Sequence, residues 1–416
     1  MDSQPRLSTA QAASRLGIKP ATLYAYVSRG LISSEPAVDA SGSTFDALDV
    51  EALARSRSNA SRSSGVKSGA PRPATATGVP LMVLDAPFAL LSDEALYYRG
   101  LSADRLAREY SFEQIAVWLW GDGPAPSADP VLFRATAAGA RAATAAGRLL
   151  GPGARGIDFM LQALLSAASH DPLKRDLRDR STAALGGDLI AQLVAALPGG
   201  RSSRAGIAES LWRKLTGRES RPVELRLATM ALVLSVDHDL AASTFAGRVA
   251  ASAGAHPYAA MISALAAADS SRHGSASVAA WEMLCAVHSG QSPEQAISHE
   301  LSRGNGIPGF GHRIYRRQDP RAKALLTALQ QAPEYRPALK AAAALIAVVH
   351  SRTNYPANID LALAVLMLGS GMREDAGQTL FTVARSAGWL AHIMGEYRQK
   401  PLRLRPIGEY TGPMPA

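Results

Sequence analysis

The chain has 416 residues, 47% of them hydrophobic and 19% charged, a globular balance that leaves room for two or three folded units. No apolar run approaches the roughly 18 residues that span a bilayer, so no membrane partner is expected. The net charge of +9 admits nucleic acid or acidic small molecules without choosing between them. The start, MDSQPRLST, lacks a cationic segment followed by an apolar stretch, so a cytoplasmic location is expected. A single cysteine, Cys285, excludes an intramolecular disulfide and reads as a helix core position.

In chain order, LSTAQAASRLGIKPATLYAYVSRGLI at 7–32 reads as two short helices joined by a tight turn. Ser8 or Thr9 can cap the first, Gly17 stops it, and Pro20 fits the first turn of the second. The second helix carries Thr22, Tyr24, Tyr26 and Ser28, side chains suited to phosphates and base edges. TFDALDVEALARSR then predicts a strand-like return and a further helix. Residues 1–55 resemble the small winged helix-turn-helix domains of the MerR and excisionase type, which implies possible DNA binding. The wing segment SSEPAVDASGSTF departs from that pattern, because it has no basic residue and carries Glu35 and Asp39. Over residues 1–80, nine Lys and Arg against six Asp and Glu leave a modest surplus for a DNA-binding unit.

Residues 56–80 are rich in Ser, Ala, Gly and Pro and read as a flexible linker. VLDAPFALLSDEALYYRG predicts short strands or turns. Beyond it, RLAREYSFEQIAVWLWG, PVLFRATAAGARAATAAGRLL, VELRLATMALVLSVD and RPALKAAAALIAVVHSR are apolar at three- and four-residue intervals. Residues 81–416 are therefore expected to form an all-α body. Several of its helices are apolar on more than one face, as in a large core or a subunit interface.

Chemistry concentrates in RGNGIPGFGHRIYRRQDPR, which places four glycines, His312 and a cluster of arginines in one loop. No GKS or GKT closes it as a P-loop, no GxSxG elbow supplies a nucleophile, and the histidines lack the spacing of a metal site. Acid and base chemistry on an anion remains, with histidines, an aspartate and arginines drawn from separate segments.

GFGHRIYRRQDPR is similar to the signature loop of citrate synthases. DHDLAASTFAGR, RHGSAS, YPANIDLAL and ARSAGWLAHIMGEYRQKPLRLRP resemble further motifs of that family, in the same order. The resemblance implies large and small helical domains, the small one at about 220–335, closing over the substrates in a homodimer. It also implies a Claisen condensation of an acyl-CoA with oxaloacetate followed by thioester hydrolysis to citrate, with no cofactor beyond the CoA thioester itself. Asp360 would take the proton from the acyl methyl group. His273 would hydrogen-bond the thioester oxygen, and His312 would hydrogen-bond and protonate the ketone. His238, Arg321, Arg385 and Arg405 would hold the oxaloacetate, Arg405 reaching across from a second subunit. Arg316, Gly306 and Gly309 would face CoA.

Arg272, Ser275 and Ser277 around His273, and Leu361 after Asp360, depart from the family pattern and leave acetyl-CoA and propionyl-CoA both open. A DNA-binding regulator using the body as a metabolite sensor is the alternative.

Overall fold

The structure, a computed structural model, describes residues 6–37, 42–63, 83–151, 153–200, 202–270, 276–303, 306–406 and 411–412. His273 and most of the expected linker, residues 64–80, lie outside the described residues.

Strand β1 (Leu7–Ser8) leads into α1 (Thr9–Leu16), and Ser8 closes a reciprocal cap: its hydroxyl accepts the Gln11 N–H while Gln11 Oε1 accepts the Ser8 N–H. Gly17 ends that helix, and Pro20 opens α2 (Pro20–Ser28). β2 (Ser34–Pro36) and β3 (Ser43–Phe45) form an antiparallel pair, with β1 added on the other side of β3. Ala12, Ala13, Leu16, Leu23 and Phe45 are buried together with Leu48 and Val50 of α3 (Ala47–Ser63). The helix thus runs past residue 55, where the linker was expected to begin. No glycine or proline occurs between Ala47 and Gly65, so nothing in the covalent chain stops a helix once it is nucleated.

A three-stranded meander follows, β4 (Ala89–Leu91), β5 (Leu96–Tyr98) and β6 (Leu101–Ser102), after which the described body is helical. The apolar stretch at 105–121 forms two helices, α4 (Ala103–Glu109) and α5 (Phe112–Trp120). They separate because Ser111 and Gln114 make a second reciprocal cap. α6 (Ala137–Leu149) starts late in its predicted stretch, at the Thr136 cap. α7 (Gly156–His170), α8 (Asp179–Ala196), α9 (Ile207–Thr216), α10 (Pro222–Leu234), α11 (Ala242–Ser252) and α12 (Pro257–Ala268) complete the first part of the body. α13 (Ala276–His288), α14 (Pro293–Ser302), α15 (Pro320–Leu329), α16 (Arg336–Thr353), α17 (Ile359–Ser370) and α18 (Ala376–Tyr397) follow.

α13 to α17 pack mainly on one another, while α10 to α12 pack on α18 with α4, α7 and α9. Residues 276–370 thus form one packing group, overlapping the 220–335 stretch expected for the small part; periodicity shows that a helix has an apolar face but not which neighbour covers it. α18 is buried along nearly its whole length. Cys285, expected in a core, is only half-buried on α13. No helix among the described residues is long and apolar enough to cross a membrane.

Candidate active site

The site lies where the two helix groups meet. The loop following α10 and the middle of α18 approach it from one group; the 306–321 loop and the start of α17 approach from the other.

Asp319 and Arg321 form its best-ordered pair. Pro320 starts α15 and Asp319 caps it, its Oδ1 accepting the Arg321 N–H at 3.0 Å. The same carboxylate grips the Arg321 guanidinium at two points, 3.0 and 2.7 Å, and accepts the Ile359 N–H at 3.2 Å. Both residues are buried, Asp319 at 0% and Arg321 at 4% exposure. Burial opposes charge on Asp319, yet Arg321 holds its carboxyl below the usual range. The pair thus clamps α15 to α17 and holds Arg321 rigid, with its charge largely balanced.

His312 is fixed by its own turn. The N–H groups of Ile314 and Tyr315 both donate to its Nδ1, at 3.0 and 3.1 Å. Nδ1 is therefore an acceptor, and in the neutral ring the proton must sit on Nε2. Burial and the nearby Arg321 push this imidazole down to about 4, so it is neutral at physiological pH and can donate from Nε2. His238 stands edge-on to it, ring centroids 5.0 Å apart, with its Nε2 3.2 Å from the Tyr315 hydroxyl. Burial, and then Arg321, also pushes His238 well below its ordinary value. Tyr315 stacks on His312 and lies under Arg321, joining the three.

Arg385 comes from α18, which approaches the His238 loop closely because Gly388 is there: a Cβ on it would strike the Val236 carbonyl oxygen. The guanidinium is 1% exposed, donates from Nε to the Ser235 carbonyl at 2.9 Å and lies over the Phe381 ring. Among the described residues no carboxylate pairs with it; the nearby Asp237 is turned to His392, 3.2 Å away. Burial lowers its pKa to about 10, so it remains a cation. A buried arginine with no counter-ion is costly unless an anion arrives to pair with it.

Asp360 sits in the first turn of α17, behind the cap residue Asn358, whose Oδ1 accepts the Asp360 N–H at 2.9 Å. No hydrogen bond or ion pair engages its carboxylate among the described residues, although part of the residue's surface is accessible. Burial raises it to about 6; Arg321 pulls the other way and Asp319 adds to the rise. The result is a carboxylate basic enough to take a proton and free to do so. Asn358 also ties the site together, since its Nδ2 donates to the Gly311 carbonyl and its N–H to the Gly309 carbonyl.

His238, His312, Arg321, Arg385 and Asp360 are thus brought together. Arg316 and Arg405 are exposed. Gly306 is exposed, but Gly309 is buried, with φ +79°, and a Cβ there would lie 2.9 Å from Leu361 Cβ. Close packing on α17 by itself accounts for the lack of a side chain at Gly309. Tyr315, Asp319 and Asn358 belong to the site and were not singled out from sequence. Asp319 was open to inference from Asp-Pro preceding a helix, and Asn358 from its position two residues before Asp360.

Taken together, fold and site describe a two-part helical protein in which a buried arginine and two neutral imidazoles lie together with a carboxylate that has no partner among the described residues. The model of the citrate synthase C-terminal domain matches residues 78–407, and the chain belongs to the citrate synthase family. Citrate synthase 2 of Bacillus subtilis is 34% identical over 215 residues, which are 50% of this chain and 56% of that protein. The citrate synthase of Mycolicibacterium smegmatis is 28% identical over 76% of this chain and 89% of its own length. A 2-methylcitrate synthase of Corynebacterium glutamicum is 27% identical with the same coverage. Among solved structures, citrate synthase of Thermoplasma acidophilum, in a ternary complex with carboxymethyl coenzyme A and oxaloacetate, superposes with a TM-score of 0.66. It shares 23% identity and covers 81% of this chain and 95% of its own.

Proposed function

We propose that the protein condenses an acyl-CoA, acetyl-CoA first, with oxaloacetate and then hydrolyses the thioester. Asp360 removes a proton from the acyl α-carbon. The resulting enolate forms a carbon–carbon bond to the ketone carbon of oxaloacetate, and His312 Nε2–H donates to the oxygen that gains the electron pair. Water then cleaves the thioester, releasing citrate and the CoA thiol. His238, Arg321 and Arg385 hold oxaloacetate, Arg321 through its remaining Nη1. The role of His273 at the thioester oxygen rests on the family resemblance. The observation that carries the reading is the buried Arg385 beside two neutral imidazoles and Asp360, both Arg385 and Asp360 lacking an ion-pair partner among the described residues.

The departures at Arg272, Ser275 and Leu361, with a 2-methylcitrate synthase among the relatives, keep propionyl-CoA as the competing substrate. Thiol release on adding oxaloacetate to acetyl-, propionyl- or longer acyl-CoA tests both points. Release with acetyl-CoA is expected, and none with any thioester would reject the reading.

A homodimer in the cytoplasm is part of the same proposal, with the exposed Arg405 serving the site of the second subunit as the family resemblance implies. The N-terminal unit is read as a MerR-type helix-turn-helix that contacts DNA through α2. What favours this is the exposure of Thr22, Tyr24 and Ser28 on that helix. The acidic side chain of Glu35 in β2 argues for weak phosphate contact there.

A further inference from the structure

The N-terminal module is seated on the two chain segments that carry His312 and Asp360. Arg352, at the end of α16, pairs with Asp49 at 2.6 Å and Asp46 at 3.1 Å. Gln11 of α1 donates to the Ser302 carbonyl at 3.0 Å, at the end of α14. Between these contacts lies Glu51 of α3, whose side chain is only 2% exposed. Its carboxylate has two kinds of partner. Arg15 of the module grips it at 2.6 and 2.7 Å, and Tyr355 of the body donates its hydroxyl to it at 3.0 Å. Arg55 covers the Tyr355 ring at 4.2 Å. A buried carboxylate is tolerated only when its oxygens are satisfied, and here a body residue completes the set.

Tyr355 in turn abuts the catalytic turn. Its ring lies 3.3 Å from where a Cβ would stand on Gly311, the residue before His312. Segments 355–358 and 309–311 are laced by three hydrogen bonds: Gly311 N–H to the Pro356 carbonyl at 2.8 Å, Asn358 N–H to the Gly309 carbonyl at 2.9 Å, and Asn358 Nδ2 to the Gly311 carbonyl at 3.0 Å. A shift of the phenol ring is therefore transmitted to the backbone on which His312 and Asp360 are mounted. The module also touches the other end of the loop: Arg15 Nη2 stands 3.8 Å from the position a Cβ would take on Gly306.

We propose that Glu51 and Tyr355 are positioning residues, so that the N-terminal module braces the acid and base of the condensation through a buried carboxylate, a phenol and the Gly311 turn. This rests on the roles given above to His312 and Asp360. The fused module is then a working part of the site.

The test uses the full chain with Glu51→Ala, Glu51→Gln, Tyr355→Phe and the Glu51→Ala/Tyr355→Phe pair. Removing one well-placed hydrogen bond is expected to lower kcat about tenfold in Tyr355→Phe and more in Glu51→Ala. KM for oxaloacetate should stay within about twofold, because His238, Arg321 and Arg385 lie off the brace. Glu51→Gln, which can still accept from Tyr355, should recover part of the loss. The paired variant should be no slower than Glu51→Ala, since both changes cut one chain of contacts. Hydrogen exchange supplies a readout independent of turnover: amides of 309–315 should exchange several-fold faster in Glu51→Ala while those of α10 and α18 are unchanged. Wild-type kcat together with unchanged exchange at 309–315 would overturn the proposal, as would faster exchange spread evenly over the body. If the wild-type chain turns over no acyl-CoA, the functional reading fails on its own and the exchange comparison still decides the brace.

Discussion

At the scale of single residues, Asp360 gathers the chemistry into one titration. Its carboxyl is raised from 3.8 to about 6, and only the ionised form can accept a proton. Turnover should therefore rise about tenfold per pH unit up to pH 6 and level off above it. The consequence for stability has the opposite sign. Below pH 3.8 the group is neutral in both folded and unfolded chains and costs nothing. Between pH 3.8 and about 6 the unfolded chain ionises while the buried group stays neutral, so the folded state loses up to about 3 kcal/mol, at 1.36 kcal/mol per unit, a loss complete above 6. Asp360→Asn should abolish turnover, retain oxaloacetate binding, and raise Tm at pH 8 relative to pH 4 when each is compared with wild type. Calorimetry at the two pH values checks this; an equal Tm at both would remove the buried charge from the account. His312, neutral down to about pH 4, contributes no second limb in the physiological range.

At the scale of elements, the two glycines grouped together in sequence separate into different jobs. Gly309 has a positive φ and presses on Leu361 of α17, whereas Gly306 faces open space apart from Arg15. Gly309→Ala should destabilise the body by about 1–3 kcal/mol and slow turnover, because backbone must move at the base of Asp360. Gly306→Ala should leave stability unchanged and, if the turn carries CoA, raise KM for the thioester alone. Denaturant unfolding and acyl-CoA titrations distinguish the two. Much of this level was legible in the chain: Ser8, Gly17 and Pro20 delimit their helices as expected, and α10 and α16 follow their apolar spacing. The break at Ser111 and the late start at Thr136 were not expected, since a side-chain cap inside an apolar stretch competes with periodicity and wins locally. Collinear motifs made legible the residues that the fold brings together, His238, His312, Arg321, Arg385 and Asp360. Tyr315, Asp319 and Asn358 escaped because they act through contacts with other segments, and such contacts exist only once the loop and α17 are folded together.

At the scale of the whole molecule, Arg405 is exposed whereas Arg321 and Arg385, with which it was grouped, are buried. If it completes the oxaloacetate site of a second subunit, neither Asp360→Asn nor Arg405→Ala should be active alone. A randomly mixed population should recover about a quarter of wild-type turnover, since half the dimers are mixed and each has one intact site. No recovery on mixing, measured by thiol release after co-refolding or co-expression, would confine each site to one chain. The grouping of helices into parts was the least legible feature, because amphipathic faces do not name their partners; the boundary at 276 follows from packing alone.

The burial of Glu51 between module and body reaches beyond catalysis. A module mounted this firmly cannot swing free while the body stays behind, so if a nucleic acid grips α2, as proposed, it meets the whole molecule. If the brace couples the two ends, linkage runs both ways: whatever factor substrates add to the hold of α2 on its partner, that partner adds to the hold on substrates. The concentration of a central metabolite would then be written into occupancy of α2 with no second messenger between them.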